Sequence, residues 1–243
     1  VYLHALRLIG GKAAREGCLV AAVEHNGGAR LIERLGDRIP NAVVVVATSI
    51  NEADDILAAH LEAKGERIYR GSENDVLQRF IDAAEENGIN GIVRICSDNP
   101  FLDIKGLLQL AQAARENTEA DYIGFMIGGK PSILTHFGFW GEYVTLNALK
   151  RVAAITTEKA AHEHVTNYVY THNDPFKCAW IAAPKFLEGR TDIRLTIDTP
   201  VDFENAQIVY TKLIAQNEDF DFDTDEQCQE LVKIVEKWHG HDN

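Results

Sequence analysis

A chain of 243 residues with 46% hydrophobic and 25% charged side chains has the composition of a soluble globular protein, long enough to bury a full core. Its net charge of −13, from 37 acidic against 24 basic residues, argues against nucleic acid and anionic membrane as partners, because a surface of that sign repels both. A small anionic ligand stays open, since a local basic cluster outweighs the distant field once separations exceed a Debye length of about 10 Å.

The first segment, VYLHAL at 1–6, has the apolar content of a buried strand. It runs into LHALRLIGGKAAREG at 3–17, where Gly10 and Gly11 accompany Lys12 and Arg15. That stretch fits neither GxGxxG nor GxxxxGK[ST], so ordinary dinucleotide and P-loop readings fail on pattern. NAVVVVAT at 41–48 is a second buried strand; its longest apolar run, 42–47, is too short to span a bilayer. No secretory leader is expected.

Residues 51–65 predict a helix with an Asn cap and Gly65 as its stop, and RIYRG at 67–71 a short strand. SENDVLQRFIDAAEENG at 72–88 predicts a helix with Ser72 at its N-cap and Asp75 at its third position. GIVRIC at 91–96, a helix at 104–116 and a strand at 120–127 continue the alternation. Strands separated by helices predict right-handed crossovers and a mostly parallel sheet covered on both faces. Beyond 130 the pattern loosens: FGFWGEYVT and FKCAWIAAP read as strands around a helix at 158–170. IRLTID at 193–198 reads as a last strand, followed by helices at 199–216 (Thr199 cap, Pro200 first) and 225–240. With no linker or repeat, 1–243 reads as one domain. Four widely spaced cysteines without a CxxC pair predict reduced thiols in a cytoplasm, and no zinc site.

In open α/β sheets ligands sit beyond the carboxyl ends of the strands, and Asp98 and Asp198 fall at two such ends. Two carboxylates from separate parts of a chain can share a hard cation such as Mg2+, completed by substrate phosphates. The alternative is that each caps the helix behind it. Arg70, Ser72 and Asp75 surround a glycine turn, where Arg70 either grips a phosphate or a base carbonyl or pairs with Glu73 or Asp75. Arg94 and Lys105 read as structural or solvated. His162 and His164 stand two apart, which on a helix denies them a shared metal; Glu163 or His164 faces a substrate or simply begins a surface helix. The acidic stretch at 217–226 lacks the spacing of a calcium loop and reads as a connector.

Taken together, VVVVATS, YRGSENDVLQRFIDAA, VRICSDNPFLD, GFWGE, EHVTNYVY and IRLTIDTPVDFE resemble the spore-coat polysaccharide branch of the cytidylyltransferases, related to the enzymes that activate ketodeoxyoctonate and sialic acid. The resemblance implies a Rossmann-like three-layer α/β sandwich of the nucleotide-diphospho-sugar transferase type, with an inserted sugar-side and dimer region at about 130–185. It implies reaction of CTP with a sugar or sugar acid, with Mg2+, in a cytoplasmic homodimer serving polysaccharide biosynthesis. It places Asp98 and Asp198 on the metal as catalytic residues, Arg70, Ser72 and Asp75 beside the nucleotide, and Glu142, Glu163 and His164 on the sugar side. The opening stretch departs from the family's basic loop after strand one. Lys12 and Arg15, with Gly10 and Gly11, are therefore assigned to triphosphate on charge and position alone. Two alternatives stand beside this: a relative that binds or regulates without turnover, and a metal-dependent glycosyltransferase, for which the expected DxD is absent.

Overall fold

The computed structural model describes residues 4–9, 18–21, 42–96, 98–172, 174–216 and 225–239. Gly10, Gly11, Lys12 and Arg15 lie outside the described residues, as does most of the acidic stretch after 216. The strands are β1 (His4–Ile9), β2 (Cys18–Ala21), β3 (Ala42–Ser49), β4 (Arg67–Gly71), β5 (Gly91–Cys96), β6 (Tyr122–Ile127), β7 (Lys130–Pro131), β8 (Glu142–Thr145) and β9 (Cys178–Ala182). The helices are α1 (Asp55–Ala63), α2 (Val76–Glu86), α3 (Ile104–Glu116), α4 (Leu146–Ile155), α5 (Lys159–Glu163), α6 (Asn167–Thr171), α7 (Pro200–Gln216) and α8 (Asp225–His239).

The strands share one sheet, and alternation of side chains along them builds two cores. In β5, Val93 and Ile95 pack with Ile123 and Phe125 of β6 against α3, α7 and α8. Ile92 and Tyr122 point the other way, into a cluster with α2, α4, α5 and α6. Both faces are therefore covered, and the layering is α/β/α.

The sheet is mixed, where the alternation of elements predicts a mostly parallel one. β3 pairs parallel with β4, and β6 with β9, but β8 lies antiparallel between β5 and β6. β1 is antiparallel to β3 and β5, whereas β2 is parallel to both. The reversal at β8 has a local cause. Between β6 and β8 the chain makes a single 3-10 turn, at Ser132–Leu134, too short to carry it back to its starting end, so the next strand runs the opposite way. The chain instead turns through Gly128 and Gly129 into β7, which pairs antiparallel with β6, before crossing to β8.

Three further boundaries differ from the sequence reading. α2 starts at Val76 with Asp75 as its N-cap, accepting from the Gln78 amide at 2.9 Å, while Ser72 Oγ accepts from the Asp75 amide one turn earlier. The helix expected at 158–170 is two short helices, α5 and α6. Residues 193–198 form no strand: their amides bond to loops, Leu195 to the His136 carbonyl (2.8 Å) and Ile197 to the Asp98 carbonyl (2.9 Å). Ile193 and Leu195 are buried with the alternation of a strand, but no strand lies alongside them.

Candidate active site

β5 delivers the chain to Asp98 and Asn99, which open on a cavity of about 290 Å³. The same cavity is walled by His136 and Trp140 from the β7–β8 crossing, and by Thr196 and Asp198 from the segment before α7. The wall is fixed from behind. Trp140 Nε1 donates to Asp103 Oδ2 at 3.1 Å, and the Asp103 amide donates to the Phe139 carbonyl at 2.8 Å, tying the crossing to the start of α3. Gly138 sits at φ +65°, where a Cβ would stand 3.1 Å from Asn99 Oδ1 and 3.3 Å from Thr196 Cγ2. Only glycine takes that backbone and that approach without strain.

Neither aspartate is spent on capping. The cap of α3 is Asp103, and α7 is opened by Thr199 and Asp202, whose side chains bond each other's backbone amides at 2.8 and 3.2 Å. That reciprocal arrangement is a capping box and leaves Asp198 turned elsewhere. Its Oδ2 accepts from Arg194 and from Thr196 Oγ1 (3.1 Å). Arg194 also pairs with Asp202 and donates to His136 Nδ1 at 3.0 Å. A guanidinium only donates, so His136 Nδ1 is the acceptor there.

Asp98 is the electrostatically costly member. Its Oδ1 is buried without a hydrogen-bond partner. Burial first, and then the Asp198 charge, push its carboxyl above the usual carboxylate range, while Arg94, its own backbone and His136 pull the other way. A buried acceptor oxygen beside a second carboxylate is the donor set a hard divalent cation satisfies, since one positive ion removes both penalties. Among the described residues no cluster of three or more His, Cys, Asp or Glu could hold a metal, so the remaining ligands to such an ion would be water and phosphate oxygens. Cys96, on the cavity lining, has its thiol pushed up to about 12 by burial, which keeps it neutral.

The second group of candidates lies around the turn between β4 and α2. Arg70 is not paired with Glu73 or Asp75. It donates to the carbonyls of Ser49 (2.9 Å) and Asn51 (3.0 Å) and pairs with Asp55 at 2.6 Å, clamping the loop after β3. Arg79, buried, donates to the Ser72 carbonyl at 2.8 Å and fixes the turn from beneath. Asp75 holds His162 Nδ1 at 2.9 Å while capping α2.

Glu142 is buried in the interior, 1% exposed, and does not line the cavity. Its carboxylate accepts from Arg94 Nη1 (2.8 Å), Tyr122 Oη (2.5 Å) and Thr166 Oγ1 (2.9 Å). Burial opposes the charge on Arg94, but the Glu142 carboxylate paired with it holds the guanidinium pKa above its ordinary value. Glu163 and His164 are exposed and do not line the cavity. His136, Asn99, Trp140, Thr196 and Arg194 were not singled out in the sequence. No spacing rule joins THF at 135–137 to RLT at 194–196; the link is the bond from the Leu195 amide to the His136 carbonyl.

An α/β/α sandwich that brings Asp98, from the end of β5, and Asp198, from the strandless segment before α7, over one cleft suits a nucleotidyltransferase, and that enzyme class is the one the chain's relatives define. The cytidylyltransferase family profile matches residues 25–230. The spore coat polysaccharide biosynthesis protein SpsF of Bacillus subtilis (strain 168) is 34% identical over 195 residues, 76% of this chain and 78% of that one. A cytidylyltransferase structure from Leptospira borgpetersenii superposes with a TM-score of 0.63 at 27% identity, covering 81% of this chain and 76% of that one. A CMP:2-keto-3-deoxy-manno-octonic acid synthetase solved with CTP shares the fold, with a TM-score of 0.52 at 11% identity over 76% and 87% of the two chains. The chain belongs to the cytidylyltransferase family.

Proposed function

We propose that the protein transfers CMP from CTP to a hydroxyl of a sugar or sugar acid, releasing pyrophosphate, in surface polysaccharide biosynthesis. The observation that carries this reading is the convergence of Asp98 and Asp198 on one cavity, with a buried Asp98 oxygen left unpartnered. In the transfer the acceptor oxygen forms a bond to the α-phosphorus, and the bond from that phosphorus to the oxygen bridging to the β-phosphate breaks. The electron pair of the broken bond leaves on pyrophosphate, and the acceptor's hydroxyl proton passes to solvent.

The two aspartates fit Mg2+, which would supply charge neutralisation on the α-phosphate as attack develops. The chain's own residues do the rest. Asn99, Thr196 and His136 present polar atoms on the cavity wall, and Trp140 gives it a rigid apolar side for a sugar ring. Arg194 holds Asp198 in place and orients His136. The Gly71–Asp75 turn is the nucleotide-side element, by its likeness to the family segment, and Lys12 and Arg15 are assigned to the triphosphate. We also read the working form as a cytoplasmic homodimer; no helix among the described residues is long and apolar enough to cross a membrane.

The test is pyrophosphate release from CTP, Mg2+ and a panel of sugars and sugar acids, with CTP-induced thermal stabilisation measured beside it. Turnover with at least one acceptor is expected. No release with any acceptor, together with no thermal shift, sinks the proposal. Lys12→Ala with Arg15→Ala is expected to weaken CTP binding; unchanged binding removes the opening stretch from the triphosphate site.

A further inference from the structure

His162 makes two contacts that its neutral form could not make together. Its Nδ1 lies 2.9 Å from Asp75 Oδ1, and its Nε2 lies 3.0 Å from the Thr156 carbonyl. A carbonyl and a carboxylate both accept, so each ring nitrogen must bring a hydrogen, and only the imidazolium carries both. A neutral ring would set a lone pair against one of the two oxygens. The residue is largely covered, with 17% of its side chain exposed, so water cannot freely replace the lost contact.

The charges around it are few. From α2 it meets Asp75, with the buried Arg79 one turn further on sensing that same carboxylate. From the end of α4 it meets the Thr156 carbonyl, and the charged neighbours on its own helix, Lys159, Glu163 and the N-cap Glu158, are exposed. The Thr156 carbonyl first, and Asp75 after it, raise the His162 pKa above the ordinary 6.5 against the opposing pull of burial.

The contact also ties the start of α2 to α5, a helix packed in the same hydrophobic cluster. Asp75 is the N-cap of α2 and the end of the Gly71–Asp75 turn, whereas His162 belongs to α5, on the stretch that follows β8. We propose that His162 is a positioning residue: as an imidazolium it holds the Gly71–Asp75 turn against α5 in the conformation that receives the nucleotide. The clamp itself stands on geometry; its effect on the nucleotide rests on the assignment of that turn under Proposed function.

The sign follows from the raised pKa. The clamp is fully made below the ordinary histidine value of 6.5 and is lost as pH rises through the higher folded value. Loss of one partly exposed, charge-assisted contact corresponds to roughly a two- to fivefold weakening of CTP binding.

The experiment has two arms on the full chain. Nitrogen-15 NMR of the imidazole, assigned by the signal missing in His162→Phe, is expected to show both nitrogens protonated at pH 6.5 and titration above that value. Calorimetric titration with CTP and Mg2+ between about pH 6 and 9 is expected to show the wild type weakening as His162 titrates. His162→Phe is expected to bind weakly at every pH, and His162→Lys, which keeps a permanent cation, to bind tightly with a flat profile. A neutral His162 at pH 6.5 overturns the clamp. A protonated His162 with unchanged CTP affinity in His162→Phe overturns the positioning role. In that case Asp75→Ala separates the causes: weakened binding there leaves the turn at the nucleotide and rejects His162 alone, whereas unchanged binding rejects the assignment of the turn as well.

Discussion

Replacing Glu142 by alanine should be among the most damaging single changes available in this chain. The carboxylate is 1% exposed, and Arg94, Tyr122 and Thr166 aim a guanidinium and two hydroxyls at it, each of those residues being buried too. Removing it leaves a buried cation whose Nε is already without a hydrogen-bond partner. Breaking one partner out of a buried ion pair costs about 3–5 kcal/mol. For a chain of this size each kcal/mol lowers Tm by about 2–4 °C, so a fall of roughly 6–20 °C is expected by circular dichroism. The pair itself is a poor source of stability, because both charges had to leave water. Glu142→Leu combined with Arg94→Met should therefore recover much of the loss. A fall in Tm under roughly 3 °C for Glu142→Ala, or a double variant no better than the single, would refute the account of Glu142 as an interior anchor.

Asp98→Asn should lose at least about 100-fold in turnover while gaining roughly 1 kcal/mol of stability in chelator, because it removes a buried charge with an unpartnered oxygen. That gain belongs to the charged form, so it should be present above the raised folded pKa and vanish once pH falls below the ordinary carboxyl value. Asp202→Ala should cost about 1 kcal/mol by opening the capping box of α7. Burial tends to raise the Asp202 pKa, but bonds from Arg194, Thr199 and the Asp198 amide bring it down to about 2. Its contribution is therefore present above the ordinary 3.8 and lost as pH falls through about 2, and urea melts of wild type and variant should converge there. Gly138→Ala forces a left-handed backbone onto a residue with a Cβ aimed at Asn99 and should cost about 1–2 kcal/mol; an unchanged melt and rate would contradict the close packing of that wall.

Much of the architecture was legible because it is local. The valines of β3, the alternation of strands and helices through β5 and β6, and the Thr199 cap of α7 announce themselves within a few residues. IRLTID reads as a strand and is none for a physical reason: Ile193 and Leu195 alternate like a strand, but a strand also needs a neighbour, and the neighbours here are loops at 98 and 136. Ser72 and Asp75 are both good caps three positions apart, and sequence does not choose between them. Arg79 chooses, by holding the Ser72 carbonyl outside the helix. Asp98 and Asp198 stand out through their place before prolines, whereas Glu142 stands out only as part of a motif, and its partner Arg94 is 48 residues away. Distances of that kind are fixed by the sheet, and no window of sequence contains them.

The two acids have different mountings. Asp98 follows directly from a central strand, but Asp198 rides on an unpaired segment after the last described strand, which ends at Ala182. A chain interrupted between Ala182 and Asp198 would carry every described strand and only one acid. During synthesis the growing polypeptide thus acquires its strands before it owns the means of reaction, and a release at that stage yields a half-equipped protein rather than a slow enzyme. The same separation offers an evolutionary handle: a change in residues 193–198 that keeps Ile193 and Leu195 in the core alters the gap between the acids while the strand pairings stay untouched.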